Sequence, residues 1–189
     1  EAFLPVFWNS DLIDEIRLGI PAYRDGHFIF YNRSWAKQLG FENYPQTSAD
    51  FEVQACAAAA ANLNDSTYEN NVTGGWLYDT QALTLLSWLR AFSGDDLIRS
   101  DGEIDFIETG SQSALEYLYD LYNQDCSWTG KQSQPFQYFA DRFALLYSGD
   151  SRDIYTQEIV NQNLDSEDDW FLIPYPSDDD RPVVYVDGD

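Results

Sequence analysis

Short apolar runs alternate with amphipathic segments along the chain, and this alternation predicts a mixture of strands and helices. The runs at 27–30, 143–147 and 170–174 have the length and the bulky residues of buried strands. Apolar positions at helical spacing predict helices between them, including a long alanine-rich helix after Pro45. Strands that alternate with helices in this way favour the α/β class.

The alanine-rich helix carries a start signal and one apolar face. Thr47 is followed three residues later by an acid, which fits a capping box. Phe51, Ala55 and Ala58 then share one face of the helix. The stripe ends at Asn62, because that position is polar.

Less regular stretches give three further predictions. The pair Asp25-Gly26 is a turn signal and allows a hairpin between the runs that flank it. Residues 104–107 alternate between apolar and polar side chains, as in a strand. Leu115, Leu118 and Tyr122 share the inner face of another predicted helix.

The composition adds a strongly acidic surface. The 189 residues include 33 Asp or Glu against 10 Lys or Arg, which gives a formal net charge of −23. A field of this sign repels phosphate backbones and anionic lipid head groups. It therefore argues against nucleic-acid binding and against capture of a strongly anionic ligand. No run approaches the roughly 20 apolar residues that a membrane-spanning helix needs.

The two cysteines, Cys56 and Cys126, lie far apart and have no Cys or His neighbour at zinc-ligand spacing. An even pair fits one disulfide in an exported protein, and two buried free thiols are the alternative. A disulfide that closes so long a loop contributes roughly 4 kcal/mol in the chain-entropy model.

Three patterns invite a chemical interpretation, and none is complete. Residues 149–151 form the Gly-Asp-Ser motif of an esterase family, but a serine nucleophile needs a base close by. The sole histidine, His27, lies far upstream, and the Asp-x-x-His expected near the end is absent from the sequence. Paired carboxylates suit glycoside hydrolysis, yet a chain with 33 acids always contains such pairs. The loop at 64–71 lacks the glycine and glutamate of a calcium-binding loop, so no metal site is predicted.

The aromatic content is the clue to a ligand class. The chain has 6 Trp, 13 Tyr and 12 Phe, and pockets that combine aromatic walls with a few polar groups are typical of small-molecule sites. Sugars offer apolar C–H faces to such walls and hydroxyl groups to carboxylates and amides. Most of these aromatics must pack in the core, and Trp88 on its predicted helix suits either role.

Several motifs occur in the order found in one protein family. They are the stretch from Pro21 to Tyr31-Asn32, the helix start at 45–51, Gly74-Gly75-Trp76, the strand and loop at 136–151, and the chain end at 187–189. Together they resemble family 1 extracellular solute-binding proteins, the sugar-capturing subunits of ABC importers, especially the maltose-binding-protein-like members that share the cysteine pair. Tyr44, Ser48 and Arg142 depart from the pattern, which usually has proline, often Trp and commonly a small residue there.

The resemblance implies a periplasmic-binding-protein-like fold of type II, an α/β fold with a small mixed sheet flanked by helices. Residues 1–189 would form mainly the second lobe, with crossover segments at about 1–32 and 182–189 and the first lobe largely absent. Because the chain starts at Glu1 and contains no methionine, we expect a piece of a longer protein.

The resemblance also assigns candidate ligand-binding residues. These are Arg24, Asp25, Asp79, Gln81, Trp88, Ser148, Asp150, Tyr155 and Asp187. It implies that a monomer captures a sugar or oligosaccharide outside the cell for ABC permease subunits in the membrane, without catalysis and without a cofactor. The parent would be periplasmic or a lipid-anchored lipoprotein at the cell surface. A secreted carbohydrate-active hydrolase is the alternative function, and an adhesive surface domain without a polar cleft is a third.

Overall fold

The computed structural model describes residues 12–13, 16–17, 23–93, 109–130, 135–177 and 181–187. In chain order the elements are β1 (Leu12–Ile13), β2 (Ile16–Arg17), β3 (Asp25–Asn32), α1 (Arg33–Gln38), α2 (Ser48–Asn64), β4 (Gly74–Leu77), α3 (Ala82–Ser93), α4 (Thr109–Asn123), β5 (Ser127–Trp128), α5 (Phe136–Ala140), β6 (Ala144–Asp150), α6 (Ile154–Asn163), β7 (Trp170–Ile173) and β8 (Tyr185–Asp187). Turns of 3₁₀ helix occupy Tyr68–Asn70 and Ser151–Asp153. The strand predicted over 104–107 lies outside the described residues.

Within the described residues, six strands form one mixed sheet in the order β5-β4-β6-β3-β7, and β8 pairs with the beginning of β3. β4 runs parallel to β5 and β6, whereas β3 runs antiparallel to β6, β7 and β8. β1 and β2 form a separate antiparallel pair. Helices flank the sheet, which confirms the predicted α/β class with a small mixed sheet.

β3 and β6 are the central strands of the sheet. Ile29 and Phe30 on β3 have no exposed surface, and neither has any residue of 144–147 on β6. A strand buried on both faces reads as a continuous apolar run rather than an alternating one. The strands predicted at 27–30 and 143–147 are therefore confirmed.

Both central strands are longer than the apolar runs that predicted them. β3 begins at Asp25, and β6 continues through 148–150 to Asp150. The turn predicted at Asp25-Gly26 and the loop predicted at 148–151 are therefore wrong. The reason is tertiary pairing: His27 lies opposite Asp150 on β6, and Asp25 lies opposite Asp187 on β8.

The capping box at the start of α2 forms as predicted. The Thr47 hydroxyl oxygen accepts a hydrogen bond from the Asp50 amide at 3.1 Å, and the Asp50 carboxylate accepts one from the Thr47 amide at 3.2 Å. Phe51 and the alanines of the predicted face are fully buried. Asn62 is also buried, because its side-chain amide donates to the Thr73 hydroxyl and to a backbone carbonyl.

α2 packs closely on β4 because two glycines of β4 carry no side chain. A Cβ on Gly74 would lie 2.4 Å from the carbonyl oxygen of Ala58, and one on Gly75 would lie 2.7 Å from that of Ala55. Gly74 also has a φ of 118°, which side chains rarely allow. Cys56 on α2 is bonded to Cys126 beside β5, with 4.4 Å between their Cα atoms, so the predicted disulfide is present.

The inner face of α4 differs from the prediction. Leu115 and Tyr122 are 52% and 57% exposed, whereas Ser111 and Ala114 are buried. Small residues let α4 approach α3 closely; a Cβ on Gly110 would lie 2.5 Å from the Cα of Ser93. The buried side of α4 is displaced around the helix from the predicted one: Ser111, Ala114 and Leu121 form it, and of the three predicted residues only Leu118 is partly buried against the core. None of the described helices is both long and apolar enough to cross a membrane.

Arg142, where the resembled family commonly has a small residue, stands in a left-handed backbone position just before β6, at a φ of 59°. Its guanidinium donates to both carboxylate oxygens of Asp168, at 2.8 and 2.6 Å. The Asn32 amide donates to the same carboxylate at 2.7 Å. These donors outweigh burial, which acts in the opposite direction, so the pKa of Asp168 lies below its ordinary value.

Candidate ligand-binding cleft

A cavity of about 420 Å³ opens at one edge of the sheet, where β4 and β6 end. The two strands run parallel in register, with Leu77 opposite Tyr147, so the residues that follow them come together. The carboxyl ends of neighbouring parallel strands are a common place for ligand sites. Several polar side chains line the cavity, namely Asp79, Gln81, Ser148, Asp150, Arg152 and Asp153.

Asp79 offers this cavity an accessible acceptor. Its Oδ1 accepts hydrogen bonds from the Gln81 amide at 3.0 Å and from the Thr84 hydroxyl at 2.6 Å. Its Oδ2 accepts none from the described residues and is not among their buried unpaired atoms. The half-buried ring of Tyr78 and the exposed side chain of Gln81 line the same cavity. This part of the wall can therefore bind hydroxyl groups beside an aromatic surface.

Asp150, by contrast, has a protein partner on each of its carboxylate oxygens. Only 7% exposed, it contacts His27 Nδ1 through Oδ1 at 2.8 Å and accepts from Arg152 Nη2 through Oδ2 at 2.6 Å. Its backbone amide donates to Asp153 at 3.0 Å, which closes a capping box on the 3₁₀ turn. The hydrogen bond from Asp150 raises the pKa of Arg152, and burial raises the pKa of Asp153.

Asp25 is also committed to the protein rather than to the cavity. Its Oδ1 accepts hydrogen bonds from the Ser151 hydroxyl and from the Arg152 amide. Its Oδ2 forms an ion pair with Arg152 Nε at 3.2 Å, so one guanidinium bridges Asp25 and Asp150. Asp25 is 7% exposed and does not line the cavity.

Ser148 lines the cavity but carries a structural hydroxyl. It accepts hydrogen bonds from Trp76 Nε1 at 3.3 Å and from the Tyr175 hydroxyl at 2.8 Å. Tyr175 is completely buried, and burial raises the pKa of its hydroxyl far above the ordinary value. The phenol therefore stays protonated and remains a donor to Ser148.

His27 lies behind the cavity and connects the end of β6 with the segment that follows β4. The ring is 1% exposed, and Nε2 lies 2.9 Å from the Thr84 hydroxyl, which in turn reaches Asp79. The Tyr175 ring stacks on the imidazole, with 5.7 Å between ring centroids and an interplanar angle of 17°. Sequence reasoning missed His27, Thr84 and Arg152 as members of this site. The acid three residues after Asp150 is a capping signal that could have indicated the turn.

The remaining predicted contacts lie elsewhere. Trp88 has no exposed surface and packs against Phe51, Tyr117 and Tyr175, so a ligand-facing role for it is wrong. Tyr155 on α6 is 75% exposed and does not line the cavity.

Two further candidates border the cavity's sheet edge without lining it. Arg24 is half-buried immediately before β3. Asp187 pairs with Asp25 through the backbone of β8, and its side chain lies outside what the structure describes.

The Gly-Asp-Ser motif does not form a nucleophile–base pair. The Ser151 hydroxyl donates to Asp25, while both His27 ring nitrogens are occupied by Asp150 and Thr84. A serine nucleophile needs the base within hydrogen-bond reach. The arrangement instead offers fixed acceptors without an activated nucleophile.

Comparisons with protein-family models and with curated proteins find no match. Solved structures do match. MalE3 of T. maritima, solved with maltose bound, is 17% identical with a TM-score of 0.74. A solute-binding protein of an ABC transporter from Thermotoga lettingae TMO, bound with alpha-D-tagatose, is 20% identical with a TM-score of 0.74. UgpB from Mycobacterium tuberculosis, in complex with glycerophosphocholine, is 12% identical with a TM-score of 0.73.

These alignments cover 98%, 98% and 97% of this chain but only 47%, 47% and 44% of the other three. The chain thus spans about half the length of the solved structures that it matches. At identities of 20% or less, the likeness establishes the fold and leaves the ligand open. The chain has the fold of maltose-binding-protein-like solute-binding proteins of ABC transporters, over about half of their length.

Proposed function

We propose that this chain is the second lobe of an extracellular solute-binding protein and supplies one wall of a sugar-binding cleft. The observation that carries this proposal is the match of nearly the whole chain to proteins solved with maltose and with tagatose bound. The chemistry of the cavity agrees with it. Asp79 presents an accessible carboxylate oxygen beside Gln81 and the ring of Tyr78, a combination that suits a sugar hydroxyl and a sugar face.

The charge of the wall favours a neutral ligand. Asp79, Asp150 and Asp153 line the cavity together with a single arginine, Arg152, which is already paired with Asp150. A carboxylate accepts hydrogen bonds from hydroxyl groups at little electrostatic cost, whereas a phosphate here would meet net repulsion. We therefore expect sugars rather than phosphate esters to bind.

In the proposed mechanism the protein binds a ligand without converting it. The first lobe, contributed by sequence outside this chain, would close over the ligand by a hinge motion, and the closed protein would deliver the ligand to ABC permease subunits. The protein would act as a monomer outside the cell, either in the periplasm or held at the surface by a lipid anchor. No bond in the ligand would be made or broken.

Titration of the ¹⁵N-labelled chain with maltose, followed by amide chemical shifts, tests the proposal. Because one wall of a two-lobed cleft is present, we expect binding in the millimolar range or weaker. The largest shifts should fall on residues 78–81. In Asp79→Asn an NH₂ group can replace Oδ2, so the hydrogen bond that Oδ2 accepts from a sugar hydroxyl is lost and binding should weaken roughly tenfold. Asp120→Asn, an exposed change on α4, is the matched control.

Two outcomes would contradict the proposal. Maltose shifts confined to other surfaces would remove the cleft as the site. Release of reducing ends from polysaccharides by the pure chain would favour the secreted hydrolase.

A further inference from the structure

A continuous row of hydrogen bonds connects Asp150 to Asp79 through buried groups. His27 Nδ1 lies 2.8 Å from Asp150 Oδ1, and His27 Nε2 lies 2.9 Å from Thr84 Oγ1. Thr84 Oγ1 lies 2.6 Å from Asp79 Oδ1. His27 and Thr84 are 1% and 4% exposed, so water does not compete for these contacts.

The row contains more contacts than neutral side chains can serve. Each of the three contacts requires one proton between its two atoms. A neutral imidazole supplies one proton and a threonine hydroxyl supplies one, while an ionised carboxylate supplies none. One contact would therefore be left with two acceptors facing each other, which is costly in a buried place. A third proton satisfies all of them.

The third proton can sit on the imidazole or on a carboxyl group, and the surroundings favour the imidazole. A carboxylic acid is ordinarily a much stronger acid than an imidazolium. Asp150 also accepts from Arg152, and Asp79 also accepts from the Gln81 amide, and both bonds favour the ionised carboxylate. The Tyr175 ring stacked on His27 favours a cation over its face.

The charged and titratable groups around His27 come from every element packed against it. They are Asp25 on β3, Asp79 after β4, Asp150 on β6, Arg152 and Asp153 on the 3₁₀ turn, Tyr175 after β7 and Tyr185 on β8, with Arg90 on α3 acting on Tyr185. Carboxylates outnumber arginines in this set. The environment therefore suits a buried cation at its centre.

We propose that His27 is a doubly protonated imidazolium that bridges Asp150 and Thr84, and through Thr84 fixes Asp79 in the cleft wall. His27 is thus a positioning residue: it holds Asp79 Oδ1 inward and leaves Oδ2 for a ligand hydroxyl. The inference that this wall selects a neutral polyhydroxylated ligand rests on the proposed function. The protonation state itself does not rest on it.

The ring can be observed directly, because His27 is the only histidine in the chain. A long-range ¹H–¹⁵N spectrum of the ligand-free, ¹⁵N-labelled protein at about pH 7 should show protons on both ring nitrogens. The same chain in urea is the control, where an ordinary histidine is mostly neutral at that pH. A folded-state ring with one bare nitrogen at about pH 7 would overturn the proposal.

Thr84→Val separates the bridge from a merely buried histidine. Without the hydroxyl, only the contact with Asp150 needs a proton, and a neutral ring supplies it. The ring should therefore lose its second proton at a lower pH than in the wild type. Thr156→Val, a half-buried change on α6, should leave the titration unchanged. An identical titration in Thr84→Val and in the wild type would contradict the bridge.

The backbone amide proton of Gln81 reports whether His27 positions Asp79, because that backbone amide donates to Asp79 Oδ1. In the wild type its chemical shift should follow the ring titration with the same midpoint, and in Thr84→Val it should not. A Gln81 chemical shift that does not change with the titration of the His27 ring would contradict the positioning role. Maltose is absent from all these measurements, so a failure of sugar binding would count against the proposed function alone.

Discussion

The two edges of the central sheet carry polar networks of opposite character. At the edge where β3 ends, Arg142 and the Asn32 side chain both donate to Asp168, and Asn32 Oδ1 accepts from the Trp35 backbone amide. At the edge where β6 ends, two carboxylates share one arginine, a histidine is buried, and Asp79 keeps an accessible oxygen. At the first edge the polar groups bond to one another, whereas at the second edge one carboxylate oxygen of Asp79 remains accessible to solvent.

This difference separates scaffold from binding surface better than residue type does. Asp25, Asp79, Asp150 and Asp168 are all aspartates near strand ends, yet only the hydrogen-bond partners reveal their roles. A carboxylate whose two oxygens both have protein partners contributes mainly stability and little ligand affinity. A carboxylate with an accessible oxygen, such as Asp79, does the reverse. Substitutions at the two edges should therefore affect stability and binding in different proportions.

The largest loss of stability is expected for Asp150→Ala. The change leaves the buried His27 without its carboxylate partner, and breaking a buried pair costs roughly 3 kcal/mol or more. Urea unfolding followed by Trp fluorescence measures the free energy of unfolding. A loss near zero would show that His27 is neutral or that the site relaxes freely, and would remove the contrast between Asp150 and Asp79.

Asp168→Asn should cost about 2 kcal/mol at neutral pH, less than a fully buried pair because the Arg142 side chain is 35% exposed. The pKa of Asp168 is lowered in the folded state, so its contribution is present above the ordinary carboxyl pKa and is lost as the pH falls through the lowered value. The difference between wild type and variant should therefore shrink below roughly pH 4. A difference that is constant with pH would mean that the ion pair contributes nothing.

Arg152→Gln should cost at most about 1 kcal/mol, although Arg152 contacts two carboxylates. Its side chain is 67% exposed, and exposed ion pairs contribute little. Added salt should reduce the wild-type stability toward that of the variant. Arg33→Gln, whose exposed ion pair with Asp169 is similar, is the matched control. A loss well above that of Arg33→Gln would make Arg152 part of the scaffold.

Asp79→Asn should change stability least, by less than about 0.5 kcal/mol, because an amide oxygen can still accept from Thr84 and Gln81. The same variant is expected to weaken maltose binding, as proposed above. Substitution of Asp150 should therefore lower mainly the free energy of unfolding, and substitution of Asp79 should lower mainly the affinity for maltose. A large stability loss in Asp79→Asn would show that Asp79 stabilises the fold as Asp150 does, and would remove the contrast between them.

Local signals in the sequence predicted most of the scaffold. The capping box at Thr47 forms from residues three apart, and the buried face of Phe51 and Ala55 follows from helical spacing. The apolar run at 143–147 identified a central strand for the same reason. These features depend on neighbours in the chain, so one sequence is enough to indicate them.

The candidate site could be located only in part. Asp79 and Gln81 were predicted from the resemblance and do line the cavity, but His27 and Asp150 are 123 positions apart in the chain. Nothing local marks such a pairing. Trp88 was ambiguous because its spacing suits both a core position and a pocket wall, and only burial against Phe51 separates the two.

The bond between Cys56 and Cys126 determines how the protein can be prepared. The sequence contains two cysteines, so a single molecule can form only this disulfide, and wrong pairing can arise only between two molecules. Dilute oxidative refolding, or secretion by the production host, should therefore give one homogeneous product. Synthesis in a reducing cytoplasm would leave α2 and β5 joined by packing alone, and crowded oxidation afterwards would yield cross-linked dimers.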